Sequence, residues 1–424
     1  MALNPLNSTG SPERESVGVG PVRTAGGKND ALDAEARDAY LAECREVALE
    51  EIRRLLPDSG PLYEALYRLV LDYPLRGGKG LRPALAVASC RVLGGTLDQV
   101  RRSAAVLELY HNAFLVHDDI EDESEERRGQ QTLHQQHGVP IAINVGDAML
   151  GLSLEPLLEN VEFLGLGPAL GVLRAVARMT RESVEGQAIE LDWIRRGVWQ
   201  LEDADYTAMV IKKTGWYSFM TPIHLGCVAA GAPEQVRDEM VELGRLLAVA
   251  FQIQDDVLNL EQSATRYGKE FAGDLWEGKR TLILLHALRE AKPARRRRML
   301  DALAKARPTE REAARLARLE ATVGQSAAVE GAARARFTEE LRESWAADWK
   351  TEEDVQELMD GIEQAGSLDY ARRVAAEWSN RAAEQFERLC AGSWGGKVAS
   401  QALLSSVHRD FLGSLVDYVH RREL

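Results

Sequence analysis

Cysteine is scarce in this chain. Four are scattered over 424 residues, at Cys44, Cys90, Cys227 and Cys390, and none forms a CxxC pair. That spacing excludes a zinc ribbon or a disulfide framework, and it makes a reducing cytoplasm the expected compartment. Positive charge is also in deficit. The balance of 52 Lys and Arg against 66 Asp and Glu leaves −14, which argues against general affinity for nucleic acid or anionic lipid. The N-terminus lacks the basic start and apolar stretch of a signal peptide. No uninterrupted apolar run approaches the roughly 18 residues that cross a bilayer, so no transmembrane segment is expected. Strand signals are missing too: no segment alternates apolar and polar residues, and no Asn-Gly or Asp-Gly turn joins two such segments.

What is present is helical texture. Hydrophobic residues make up 45% of the chain, enough for a sizeable core. Residues 1–34 are rich in Gly, Ser, Pro and Asn with little periodicity, which predicts a disordered arm. From there on, apolar residues recur three and four apart, as in "AEARDAYLAECREVALEEIRRLL" at 34–56. Breaks are expected near 74–80, 93–96, 163–168, 195–205, 229–233, 263–274 and 305–310. Nothing within 35–424 resembles a linker, so this stretch is expected to be one all-α domain.

The stretch "VHDDIEDES" at 116–124 crowds acid just after the apolar "AFLV". At about 100° per residue, Asp118 and Asp122 lie about 40° apart on a helix, with Asp119 about 100° from Asp118. Carboxylates this close resist joint ionisation unless a cation neutralises them. They make a hard-oxygen site suited to Mg²⁺. A similar arrangement recurs in "FQIQDDVLNL", where Asp255 and Asp256 are adjacent and Asn259 follows a turn later. Two such helix ends facing each other could hold several Mg²⁺ ions around a diphosphate.

Cations accompany both motifs. Arg127 and Arg128 follow the first, and their planar guanidinium groups can hold phosphate in bidentate fashion. Lys213 and Thr214 sit in "KKTGWY", Lys269 in "RYGKEFAGD" and Lys279 in "LWEGKRTL". Lys79 and Arg82 sit in "GGKGLRP", where glycines free the backbone to approach an anion. This run is not a P-loop, which needs a Ser or Thr after the lysine.

The ordered set "GGKGLRP", "ELYHNAFLVHDDIEDESEERRG", "GDAML", "GQ" at 186–187, "KKTGWY" and "FQIQDDVLNLEQSATRYGKEFAGDLWEGKRTL" resembles the trans-isoprenyl diphosphate synthases, the polyprenyl synthetase family. The resemblance implies an isoprenoid synthase fold, a helical bundle around a prenyl tunnel, and a homodimer. It implies chain elongation, in which isopentenyl diphosphate condenses with an allylic diphosphate. By this likeness Asp118, Asp119, Asp122, Asp255, Asp256 and Asn259 bind Mg²⁺, three ions per site. Arg127, Lys213, Thr214, Gln252, Lys269 and Lys279 would hold the allylic diphosphate. Lys79, Arg82, His111 and Arg128 would hold isopentenyl diphosphate. That second set argues against the alternative, a terpene cyclase, which has no use for it.

Three departures stand out. Asn259 replaces the family's common Asp, Ile283 stands where many members have proline, and 293–345 is longer than usual. The resemblance also implies that bulk just before the first motif limits product length. Ala113 is small and Phe114 large, which points to geranylgeranyl diphosphate, C20.

Overall fold

In the computed structural model the periodic stretches are α-helices whose ends follow local capping chemistry. The structure describes residues 32–261, 272–308, 310–325, 331–394, 397–398, 403 and 406–421. The expected arm and Lys269 therefore lie largely or wholly outside the described residues. Asp33 starts α1 (Ala34–Arg54) by accepting the Ala36 N–H at 2.8 Å. Two short turns, α2 (Arg68–Val70) and α3 (Asp72–Leu75), lead to α4 (Leu81–Val92). A capping box of Thr96 and Gln99 opens α5 (Leu97–Glu121), satisfying amides that the first turn leaves free. Then come α6 (Leu133–His137), α7 (Val139–Leu152), α8 (Leu154–Leu164) and α9 (Leu166–Arg195).

The second half begins with α10 (Asp203–Val210), which runs without a break through a π-helical stretch, Ile211–Met220, into α11 (Thr221–Ala229). It continues with α12 (Glu234–Glu261), α13 (Gly273–Glu277), α14 (Leu282–Glu290) and α15 (Pro293–Leu303). The long region then forms a helical hairpin, α16 (Glu310–Gln325) and α17 (Gly331–Asp348), whose arms pack on each other. The last helices are α18 (Glu352–Gln364), α19 (Ser367–Cys390) and α20 (Val407–Arg421).

Helices α5 and α12 are embedded for most of their length. Val100, Ala104, Leu107, Leu109, Ala113 and Val116 of α5 are buried, as are Met240, Leu243, Leu247, Val249, Ile253 and Val257 of α12. Both helices carry their adjacent aspartates toward the C-terminal end, past most of these buried apolar residues. The core therefore fixes where the two acidic motifs emerge.

One expectation is corrected here. Short strands exist: β1 (Glu126–Arg127) pairs antiparallel with β2 (Gln130–Gln131), and β3 (Ser393–Trp394) with β4 (Lys397–Val398). The first is a two-residue hairpin whose turn residues, Arg128 and Gly129, both have positive φ, at 56° and 73°. Such mirror-image turns match strand twist but favour Asn-Gly, so Arg-Gly gave no signal. The left-handed arginine is held by its Nη1 donating to Tyr73 O at 2.9 Å and by Arg76 Nη1 donating to Gln131 O at 2.8 Å.

One helical region is more apolar overall than its unbroken runs. Among the described residues, the 26-residue stretch Val139–Leu164 is long and apolar enough to cross a membrane by length and composition. Asp147 and Ser153 interrupt it, which hides it from a search for unbroken runs. It is apolar on two sides. Ala142, Val145 and Met149 face the core, while Ile141, Ile143, Leu154, Leu158 and Phe163 are exposed.

The "GQ" motif has a packing reason. A Cβ on Gly186 would sit 2.2 Å from the Lys213 backbone nitrogen, so α9 and the π-helical stretch touch backbone to backbone. Gly186→Ala is expected to destabilise the fold by about 1–3 kcal/mol, the range for overpacking. A lowered thermal midpoint by circular dichroism would bear this out, and an unchanged one would show that the helices can part freely.

Helix α20 docks on α1 through Tyr40, whose hydroxyl lies 2.8 Å from His408 Nδ1. Burial, then Arg91, pull the His408 imidazole from its ordinary 6.5 down to about 4. The native state thus binds fewer protons than the unfolded chain in this range, and stability rises with pH there. The contribution is complete above 6.5 and lost as pH falls toward 4. Urea unfolding at several pH values should therefore show a shallower acid-side loss for His408→Gln than for the native sequence.

Candidate active site

The C-terminal ends of α5 and α12 and the π-helical stretch enclose a cavity of about 250 Å³. Carboxylates of Asp118, Glu190, Asp255, Asp256 and Asp274 line it together with Arg127, Lys213, Lys279 and Arg280. A π-helix places its residues out of phase with the flanking α-helices, and here it carries Lys213, Thr214 and Tyr217.

The first motif divides into two parts. Asp118 faces the cavity, with Lys213 Nζ at 3.6 Å and Gln187 Nε2 at 3.5 Å. Asp122 accepts from Lys279 Nζ at 2.8 Å. Burial pushes its carboxyl up, Lys279 opposes this, and Asp118 adds to it. Asp119, by contrast, is fully buried and turned to the other side of the helix. It accepts from the Tyr73 hydroxyl at 2.6 Å and from Arg127 through both Nε and Nη2. Breaking such a buried pair from one side costs about 3–5 kcal/mol.

On the facing wall, Asp256 accepts from the Tyr206 hydroxyl at 2.7 Å and from Gln252 Nε2 at 2.9 Å. Thr214 donates to Gln252 Oε1 at 3.1 Å, so the π-helical stretch reaches Asp256 through that amide. Burial pushes the Asp256 carboxyl well up, and Asp274 and Asp255 push the same way. Asn259 accepts the Asp274 N–H at 3.3 Å with its side-chain oxygen, and its own carbonyl accepts the Ala272 N–H at 3.1 Å. The Asn259 side chain thereby holds the start of α13.

Lys213 and Lys279 are buried ammoniums. Burial lowers their pKa, yet both are held above the ordinary lysine value, Lys213 by Glu190 and Asp118, Lys279 by Glu277 and Asp122. Glu190, Glu277, Asp274, Tyr73 and Tyr206 were not singled out from the sequence. Glu277 and Asp274 sit in the same "GDLWEGK" run as Lys279, which was the available signal. Glu190, Tyr73 and Tyr206 are distant in sequence and carried none.

Among the described residues, no three His, Cys, Asp or Glu side chains converge closely enough to hold a metal ion. The donor set nevertheless fits a hard divalent cation. The carboxylates facing one cavity are hard oxygen donors. Burial, with neighbouring carboxylates adding to it, pushes the Asp122 and Asp256 carboxyls up, and a bound cation would favour their ionised forms.

A second cavity of about 190 Å³ adjoins, lined by Lys79, Arg82, His111 and Arg128 with Glu108, Phe219, Phe251 and Tyr418. Arg82 donates to Ser218 Oγ at 2.7 Å and stacks over the Tyr217 ring. Lys79 donates to the Tyr418 hydroxyl at 2.9 Å, which brings α20 into this site. Gly78 leaves room for the Arg128 guanidinium, since a Cβ would lie 2.7 Å from Arg128 Nη2 and displace it. Burial, then Arg82 and Arg128, hold the His111 imidazole well below its ordinary value, so it is neutral beside the cations.

A third, mainly apolar cavity of about 300 Å³ opens beneath Asp118 and Lys213. Phe114, Leu115, Leu150, Val184, Leu191 and Tyr217 line it. The Phe114 ring meets Tyr217 edge-on at 5.4 Å and Tyr110 at 5.9 Å. Ala113 does not line this space. It is fully buried behind Phe114, in a cluster with Leu109, Leu133, Ala142 and Val145.

Comparison with known proteins identifies the family. The polyprenyl synthetase family model matches residues 64–319. A geranylgeranyl pyrophosphate synthase of Geoglobus acetivorans is 29% identical over 379 residues, 88% of this chain and 95% of that one. A short chain isoprenyl diphosphate synthase of Methanocaldococcus jannaschii is 32% identical over 257 residues, 60% of this chain and 74% of that one. The crystal structure of geranylgeranyl pyrophosphate synthetase from Pyrococcus horikoshii Ot3 superposes with a TM-score of 0.71 at 27% identity, over 92% of this chain and 100% of that one. In motif order, helical architecture and site layout alike, the chain belongs to the polyprenyl synthetase family of prenyltransferases.

Proposed function

We propose that this protein condenses an allylic diphosphate with isopentenyl diphosphate and makes the C20 product, geranylgeranyl diphosphate. The observation that carries the reading is the adjacency of three cavities: one acidic with buried lysines, one basic, one apolar. An allylic diphosphate would lie with its phosphates at Lys213, Lys279 and Arg127 and its prenyl tail along Phe114 and Tyr217. Isopentenyl diphosphate would be held by Lys79, Arg82 and Arg128, with neutral His111 as a hydrogen-bonding neighbour.

Enzymes of this family use divalent metals. Asp118 and Asp122 on one wall and Asp255 and Asp256 on the other would hold Mg²⁺, three ions per site, supplying Lewis-acid neutralisation of diphosphate charge. Asp119 then acts by fixing Arg127, and Asn259 by fixing α13. Lys213, Lys279 and Arg127 stabilise charge that grows on the departing diphosphate as the C–O bond breaks. The apolar walls keep water from the allylic cation. The isopentenyl double bond attacks that cation, and the proton lost next goes to the released diphosphate. Lys269 joins this group by family likeness alone.

The terpene cyclase reading is not favoured, because the basic cavity is retained. We further infer a homodimer. Exposed apolar side chains recur on α7, α8 and α9, among them Ile141, Leu154, Leu158, Phe163, Leu166 and Leu170, and such exposure favours cover by a second copy. The division into an arm at 1–34 and one domain from 35 onward is kept. A cytoplasmic location fits four unpaired cysteines.

Incubation with farnesyl diphosphate should give a C20 diphosphate only when isopentenyl diphosphate is added. A hydrocarbon formed without it would overturn the elongation reading. Asp118→Ala should lower kcat by about 10²-fold or more, by analogy with loss of one strong transition-state contact, with helicity unchanged. Surviving turnover would refute the metal assignment. Phe114→Ala should shift the products, read by mass spectrometry, to chains longer than C20. An unchanged product would remove Phe114 as the limiting side chain.

A further inference from the structure

The inserted hairpin α16–α17 is tied at its root to the diphosphate site. Its two strands of entry and exit are joined to each other: Lys350 N donates to Ala306 O at 2.8 Å, Ala306 and Trp349 form a parallel bridge, and Lys305 Nζ lies 2.8 Å from Asp354. From this junction two cations reach α13. Lys350 Nζ donates to the carbonyls of Leu275 and Trp276, both at 2.7 Å. Arg307 Nη1 lies 3.3 Å from Glu277, and Glu277 lies 2.6 Å from Lys279 Nζ.

Helix α13 has five residues and little stability of its own. Leu275 O accepts the Gly278 N–H at 3.3 Å, and Lys350 adds a second donor to it and one to the Trp276 carbonyl. Lys350 is 1% exposed, and the charged groups around it are Asp354, Arg280, Glu277 and Arg307. Burial pulls its ammonium down to about 8 against the pull of Asp354. A lysine buried at that cost makes no contact with the cavity itself, so its work is done on the backbone it grips.

We infer that Lys350 is a positioning residue: by holding the Leu275 and Trp276 carbonyls it sets the end of α13, and so places Lys279 against Asp122. The inference rests on the reading of Lys279 as a ligand of the allylic diphosphate. Arg307 supports the same placement by sharing Glu277, which would otherwise draw Lys279 away from Asp122.

Steady-state kinetics of the full-length protein test this, with farnesyl and isopentenyl diphosphates and Mg²⁺ each varied. Lys350→Met should lower kcat/KM for farnesyl diphosphate by about tenfold to a hundredfold, the scale of a small misplacement of a charged group. It should raise the Mg²⁺ concentration for half-maximal rate and leave KM for isopentenyl diphosphate unchanged. A merely structural role would lower the thermal midpoint without that split, and this outcome overturns the inference. Arg307→Ala, at a more exposed site, should shift the same two parameters by about threefold and decides the matter if Lys350→Met does not fold. Unaltered parameters in that variant overturn the inference. Lys279→Ala is measured alongside. If it abolishes turnover while the other two act as native, the inference fails and the site reading stands. If Lys279→Ala is itself silent, both fall.

Discussion

Everything at the site depends on how two acidic helix ends are kept facing one another. Carboxylates on both walls repel, and ammoniums pair with those of the first motif: Lys213 by Asp118, and Lys279 by Asp122. These pairs are partly buried, where unpaired charge is costly. Lys279 opposes the rise that burial gives the Asp122 carboxyl. Diphosphate with its metals would re-partition contacts that already exist.

The helices are anchored accordingly. Helices α5 and α12 bury long apolar faces in the core, and burial of their middles fixes the position of their acidic C-terminal ends. The π-helical stretch between α10 and α11 supplies Lys213 and Thr214 to that space, and Gly186 lets α9 press against its backbone. Asn259 and Lys350 grip α13 from opposite ends. In each case a backbone group is held so that a neighbouring charged side chain has a defined position.

Much of this was legible beforehand. Helical periodicity identified the all-α class, and the spacing of acids and bases marked Asp118, Asp122, Asp255, Asp256, Lys213 and Lys279. The basic set Lys79, Arg82, His111 and Arg128 does line one cavity. Other residues took roles that spacing could not reveal. Asp119 is about 100° around the helix from Asp118, and that angle sends it to Tyr73 and Arg127. Ala113, next to Phe114, is turned into the core by the same geometry. The Arg128-Gly129 turn and the apolar outer face of Val139–Leu164 were hidden, one by an atypical turn residue, the other by interrupting polar residues.

By itself, then, the amino-acid order determined the helical class, the family and the chemical types gathered at the site. Those follow from periodicity and from charge, which are local and additive along the chain. Only the tertiary structure decided which carboxylate faces the cavity and which serves an arginine, that Asn259 secures α13, and that the hairpin root reaches the diphosphate site through Lys350. Such assignments depend on directions of side chains and on contacts between residues far apart in sequence, such as Lys350 with Leu275 and Lys279 with Asp122. No one-dimensional pattern carries that information.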